Sequence, residues 1–401
     1  MSAQDFRAPE SVSRLQNGGI VVGVVALLVA IFGAMKSPAD FYHSYIFSYM
    51  LILGLTVGSL GLLMLQHLTG GIWGIVIRRP LEAASRNLWL MFILFIPIAF
   101  GGMKYLYSGN ENETGWLNAP KEGEHALTSW QQGYLTQGGF LTRALIYFII
   151  WIGLMLVFNA WSKQQDQESN GEGLKQRLKT LAAPGVILYI LAMTFAAIDW
   201  VMSLSPRWAS TIYGFLFVAG QAISAMALMI AVIVLLAGSE PFHEIIKKRH
   251  LHDLAKLLFA FNMLWAYFAF SQLLIIWSGN QPEEITFYRS RLNGQWGVVA
   301  VIVLLFSFAI PFLLLLSRDV KRTASIVSKI AVWMIFMRLV DLYWMTRPEF
   351  TSRAVPTWLD IVVPIALIGL WLGSFARNLK QRPLLPLGDP NLSEALAQHE
   401  H

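Results

Sequence analysis

The chain has no cysteine among its 401 residues. That removes disulfides, cysteine-ligated iron–sulfur clusters and covalently attached c-type haem. Charge is also scarce. Asp, Glu, Lys and Arg make up 13% of the chain, against roughly 25% in a soluble domain. Polar stretches long enough to form a separate soluble enzyme domain are missing, because apolar runs and their short connections use up most of the length. The net charge of +6 does not point to nucleic acid, since the basic residues cluster beside the apolar runs, where the positive-inside rule places them.

What is present is apolar sequence: 56% of the residues are hydrophobic, and the mean hydropathy is +0.54. A transmembrane helix needs about 20 mostly apolar residues. Such runs lie near 18–35, 42–66, 88–107, 139–161, 183–203, 211–237, 256–278, 296–317, 328–346 and 358–376. Lipid gives an open backbone no hydrogen-bond partner, so each is expected to be helical. The fold class is therefore all-α integral membrane, with about ten transmembrane helices. The first run is read as an uncleaved anchor, because it is long and no convincing cleavage site follows it.

Twenty of the thirty Lys and Arg fall in the N-terminus, the even-numbered loops and the C-terminal tail. Seven fall in the odd loops, and Lys104, Arg143 and Arg338 lie within spans. Both termini are expected to face the cytoplasm. The longest outer loop, near 108–138, is too long for a simple turn and reads as mobile or as a docking surface. The stretch 162–179 reads as a polar cytoplasmic linker, and three prolines exclude a regular helix from Gln381 onward.

Spans 5 and 9 end alike, with Asp199 seven residues before Pro206 and Asp341 seven before Pro348. Four helices separate them, so spans 2–5 and 6–9 read as parallel repeats. That gives helix 1 in 1–37, a first four-helix bundle in 38–206, a second in 207–350, and helix 10 with the tail in 351–401. One helix flanks the pair of bundles at each end.

Ionisable groups inside apolar spans are costly and mark functional candidates. Asp199 is a candidate proton acceptor; the plainer reading is a capping residue paired with a loop arginine such as Arg207. Arg338 and Asp341 are three residues apart and share a helix face. They relay protons, orient a polar head group, or form a structural ion pair. His43 opens span 2 as an interfacial residue, or exchanges protons with a quinol or with Asp199 if the helices adjoin. Gln272 joins a water wire or ties two helices. At the other face, His67 and the group His252, Asp253 and Lys256 read as cytoplasmic proton entries. The alternatives are local hydrogen bonding for His67 and a lipid anchor for the group. Positive-inside anchoring accounts for Arg78-Arg79-Pro80-Leu81-Glu82.

No histidine pair suits an axially ligated haem. His43 and His67 lie on one helix, about 36 Å apart at 1.5 Å per residue. His125 falls in the long outer loop, His243, His250 and His252 near the inner surface, and His399 and His401 at the end of the tail. Neither haem, an iron–sulfur cluster nor a metal is expected in this chain.

Three long stretches resemble one family: Ile198-Asp-Trp-Val-Met-Ser-Leu-Ser-Pro-Arg-Trp-Ala-Ser-Thr-Ile-Tyr-Gly214, His252-Asp-Leu-Ala-Lys-Leu-Leu-Phe-Ala-Phe261, and the run from Trp265 to Glu284. Leu65-Gln-His-Leu-Thr-Gly-Gly71 and the proline-containing tail agree with them. These are similar to the second, smaller polytopic subunit of bacterial alternative complex III, in the polysulfide-reductase (NrfD-like) membrane superfamily. The resemblance runs through nearly the whole chain and implies ten helices, as two four-helix bundles with a flanking helix at each end. It implies a place in the bacterial inner membrane, in a complex that oxidises menaquinol and passes electrons to cytochrome c or an oxidase. The partners implied are a paralogous larger membrane subunit and outer-face iron–sulfur and c-type haem subunits, with membrane lipids around them. The subunit itself would bind quinone, conduct protons or act as a scaffold. A proton-coupled secondary transporter is the reading from another class.

Overall fold

The apolar runs are helical in the computed structural model of the protein, which describes residues 6–109, 114–120, 122–123, 126–167, 171–239 and 241–392. Lys121, His125, His399 and His401 lie outside the described residues. Ten long helical elements follow in order. They are α1 (Glu10–Lys36), α2 (Pro38–Thr69), α3 (Arg78–Leu106), α4 (Gln137–Gln165) and α5 (Glu172–Trp200). Then come α6 (Tyr213–Ala237), α7 (Lys248–Gly279), α8 (Gly294–Leu316), α9 (Ala324–Thr346) and α10 (Leu359–Leu379). Their ends follow local chemistry. Thr136 caps α4 by accepting from the Gly139 amide, α2 stops at Gly70 with φ +67, and α7 stops at a left-handed Asn280 before Pro282.

Nine helices among the described residues are long and apolar enough to cross a membrane. The chain is a multi-pass, all-α membrane protein. The tenth expected span, near 328–346, is helical as α9, but it fails the apolar criterion for a physical reason. Lys329, Arg338 and Asp341 fall within every 18-residue stretch of it, so only burial against other helices makes that segment tolerable in lipid.

The core sits around α2. Its most apolar stretch is buried throughout, among α1, α3, α4, α5, α6, α9 and α10. Close approach is possible because Gly58 has no side chain; a Cβ there would lie 2.6 Å from the carbonyl oxygen of Gln221 on α6. The hydroxyls of α2 do not stay unpaired in this dry setting. Ser48, Thr56 and Ser59 each donate to the carbonyl four residues back, a local bond that needs no tertiary partner. The outward faces of α1, α7 and α8 carry Val21, Phe32, Phe270, Ile275, Val298 and Leu313, all exposed, as lipid-facing surfaces should be.

Successive helices run antiparallel, so the starts of α2, α4 and α10 share an end with the finishes of α5 and α9. We call this the His43 end. The starts of α3 and α7 mark the opposite, Arg78 end. Two helices are broken by π-helical turns, α3 at Ile98–Gly102 just after Pro97 and α8 at Leu304–Ala309 just before Pro311. A proline without an N–H frees a carbonyl, and side chains take up the slack. Trp333 donates to Phe306 O and Asn262 to Phe308 O in α8.

The outer-loop expectation is revised for its described parts. Trp116 is buried between Tyr107 and Phe140. A short helix at Ser129–Tyr134, closed by a Thr128–Gln131 capping box, is tied to Pro206 O through Gln131. The loop is thus tied to the helices at Trp116 and Gln131, with Trp130 exposed.

Candidate functional site

Two arginine–aspartate pairs formed between residues of the long helices themselves lie at the His43 end. In the first, Asp199 in the last turn of α5 is completely buried. Arg143, near the start of α4, grips both its oxygens, Nε to Oδ2 at 2.8 Å and Nη2 to Oδ1 at 2.9 Å. Tyr147, one helical turn further along α4 and so on the same face, donates its hydroxyl to Oδ2 at 2.6 Å. Arg143 also donates to Tyr134 O at 3.0 Å and stacks over the Tyr134 ring. Burial, together with the negative Asp199, pushes the Tyr134 phenol up to about 12. Beneath the pair, Trp200 packs against Tyr49, Phe95, Phe148 and Trp151.

This corrects the expected partner. Arg207 is near Asp199 in sequence, but the carboxylate is held by Arg143 of the neighbouring antiparallel helix. The signal was available, because Arg143 is a cation inside an apolar run and needs an anion at its own depth. Nothing in the sequence pointed to Tyr147.

The second pair, Arg338 and Asp341, forms a direct ion pair along one face of α9, with both side chains buried. The guanidinium fits against α6 only because residue 220 is glycine; a Cβ there would lie 2.4 Å from Arg338 Cζ. It also faces the Phe217 ring at 5.5 Å. A small cavity adjoins the pair, with Asn262 and Trp265 of α7 and Ser307 of α8 in its wall.

His43 does not meet Asp199. Its Nε2 lies 3.2 Å from Tyr105 O, and its ring stacks on Phe350 at 3.7 Å. It borders a cavity of about 770 Å³ together with Lys104, Tyr105, Asn293, Trp296 and Phe350. Close by is an ion pair that the sequence reading missed. Arg347 of the loop after α9 holds Asp360 of α10 at 2.9 Å. Ser44 and Thr357 also donate to Asp360. A second missed pair, Arg291 with Glu349, closes at 2.5 Å.

Gln272 is buried but serves as a tie: it accepts from Ser210 at 3.0 Å and donates to the Tyr288 hydroxyl at 3.1 Å. At the Arg78 end His252, Asp253 and Lys256 share the first turns of α7, and His67 is on α2. His67 stacks on Phe158 inside the protein, whereas Asp253 and Lys256 form an open ion pair at 3.1 Å on α7. His252 starts the same helix.

Anchoring alone does not describe Arg78, Arg79 and Glu82. All three are buried. Arg78 binds Glu82, Asp389, Ser162 and Gln165; Arg79 binds Glu82, Ser162 and Asp166. Arg382 of the tail closes on Glu82. Three cations and three carboxylates thus neutralise one another where charge is otherwise costly. Among the described residues, no group of three or more His, Cys, Asp or Glu side chains is placed to hold a metal. No protein-family model matches the chain, and no curated protein matches it either.

Proposed function

We propose that this chain is a cofactor-free membrane subunit of a bacterial quinol-oxidising complex of the alternative complex III type. In this reading Asp199 and Asp341 accept or relay the protons that quinol oxidation releases. One observation carries it: two buried aspartates, each paired with a helix arginine, sit at the same end of two helices four apart in the chain. An ion pair buried only for stability is a poor investment, since well-packed apolar residues do as well or better. Two of them at matching places favour a shared chemical task in a duplicated four-helix unit.

A carboxylate locked to a guanidinium holds its negative charge without water. When a proton arrives, the carboxyl lets go of one hydrogen bond and the arginine keeps the site from becoming apolar. Tyr147 lets Asp199 exchange that proton along a hydroxyl. The cavity beside His43 has the size of a ligand pocket, roughly 300–1,000 Å³. With its imidazole, aromatic walls and place near the membrane boundary, it suits a quinol head group. The electrons go to iron–sulfur and c-haem subunits on the outer face, and a larger paralogous subunit lies alongside in the membrane. The Arg78 end faces the cytoplasm, with both termini.

A transporter draws on one observation, the breaks in α3 and α8, because discontinuous helices build many transport sites. Those breaks lie at different depths, near the end of α3 and in the middle of α8, and so do not frame one site. Isolating the native assembly separates the readings: iron–sulfur and haem subunits that copurify support the complex, and a chain that comes out alone overturns it. Within the complex, Asp199→Asn and Asp341→Asn are expected to lower quinol-dependent turnover with assembly intact. Unchanged turnover and proton release in both would leave the pairs as packing devices in a scaffold.

A further inference from the structure

The two pairs differ in how completely their carboxylates are satisfied. Asp199 receives Arg143 on both oxygens and Tyr147 as well. Asp341 receives Arg338 alone. The small cavity beside it is also lined by three residues that each carry a shielded polar atom without a partner among the described residues, Asn262 Oδ1, Trp265 Nε1 and Ser307 Oγ. Asn262 is completely buried and Trp265 nearly so. These groups come from α7, α8 and α9, so their convergence is a property of the packed helices rather than of one segment. The π-helical turn at Leu304–Ala309 carries Ser307, and a bond from Asn262 Nδ2 to Phe308 O at 3.4 Å uses the amide nitrogen and leaves the amide oxygen without a partner among the described residues.

The contents follow from size and donor chemistry. The space open to the centre of a water molecule is about 20 Å³. One water needs roughly 10–15 Å³ by that measure and two to four polar partners. A quinone head group or any organic substrate is too large. A metal cation would meet the Arg338 guanidinium and the indole N–H of Trp265. An anion would meet Asp341 and the amide oxygen of Asn262. Only a ligand that both donates and accepts satisfies the whole wall.

We propose that this cavity binds one water molecule, which bridges Asp341 and Asn262 and takes for Asp341 the place that the Tyr147 hydroxyl takes for Asp199. Trp265 and Ser307 supply its remaining partners. The water ties α9 to α7 and α8 where these polar groups do not reach each other.

A density map of the full chain in lipid nanodiscs, at a resolution of about 2 Å, tests this directly. One isolated peak is expected within hydrogen-bond reach of Asn262 Oδ1 and Asp341, about 2.7–3.2 Å. In Asn262→Leu the peak should disappear while the Arg338–Asp341 pair persists. An empty wild-type cavity overturns the proposal, as does one closed by direct bonds from Asn262 or Ser307 to the ion pair. A peak that survives in Asn262→Leu overturns the assignment of Asn262 as its partner. The wild-type map decides even if the variant does not fold. Because it reads hydration and not turnover, its result is separable from the proton-relay reading.

Discussion

Arg143 and Asp199 would lose different things if parted. The aspartate side chain is 0% exposed and the arginine 20%, so only the arginine has a route to water. Arg143→Leu strands a buried carboxylate, for which about 3–5 kcal/mol is usual. Asp199→Asn leaves a neutral amide that still accepts from Tyr147 and Arg143, so its cost should be nearer 1 kcal/mol. Unfolding in detergent should rank the variants in that order, and an equal or greater loss in Asp199→Asn would defeat the argument. Tyr147→Phe removes one bond to a charged acceptor and is expected to cost ~1.5–3 kcal/mol. Charge in an apolar run made Asp199, Arg338 and Asp341 legible. The pairing of Asp199 was harder to see, because its partner lies 56 positions away and only the depth of Arg143 in its own apolar run hinted at it; closeness in sequence favoured Arg207, whereas antiparallel neighbours bring together the end of one helix and the start of the one before it. Gln272 was equally visible as a polar residue in an apolar helix, yet its ties to Ser210 and Tyr288 depend on loop folding that periodicity does not encode.

At the scale of elements, α1 and α10 form the tightest unit. Gly19 and Gly23 face Gly369 and Gly373, with four-residue spacing on both helices. A Cβ on Gly23 would lie 2.5 Å from the Leu370 amide, and one on Gly369 2.7 Å from Gly23 Cα. In lipid, where the hydrophobic effect does not press helices together, this backbone-to-backbone approach supplies the attraction. Gly23→Leu is therefore expected to part α1 from α10 while leaving the helices around α2 in place. The absence of native cysteine makes a clean assay possible. In Gln16→Cys with Lys380→Cys, where the native side chains meet at 3.2 Å, a short bis-maleimide should join the two thiols, and adding Gly23→Leu should abolish the cross-link; a cross-link that persists would show that the glycines do not set the contact. Helix existence and number were readable from apolar runs, including the charged α9. The glycine spacings were on view too, but a spacing names no partner until two helices are known to touch. The prolines at 97 and 311 announced irregularity, yet the π-helical register depends on which side chains take the freed carbonyls.

For the molecule as a whole, the tail and the charge distribution bear on the proposed orientation in the membrane. The segment after α10 folds back over the Arg78 end. Leu384 and Leu385 are buried, Leu384 N reaches Phe6 O at 2.9 Å, and Asp389 meets Arg78 at 2.6 Å. The first and last described segments are thus tied to one face. Asp389→Asn keeps the shape but withdraws one of the charges that neutralise Arg78. It should lower stability by ~1–3 kcal/mol, with little relief from added salt, because a buried pair is poorly screened. A marked salt dependence would mean that the cluster is wetter than its burial implies. That same face gathers most basic residues outside the spans, Lys247, Lys248, Arg249, Lys321 and Arg322 among them. Such a bias holds loops on the cytoplasmic side during insertion. A single cysteine placed at exposed Ser352, at the His43 end, should therefore react with a membrane-impermeant maleimide on intact cells, and one at exposed Lys248 should react only after lysis. The opposite pattern would put Asp199 and Asp341 near the cytoplasm, where protons from quinol oxidised at the outer face could not reach them without crossing the membrane first. The orientation thus decides whether the two carboxylates stand where a proton-releasing reaction needs them.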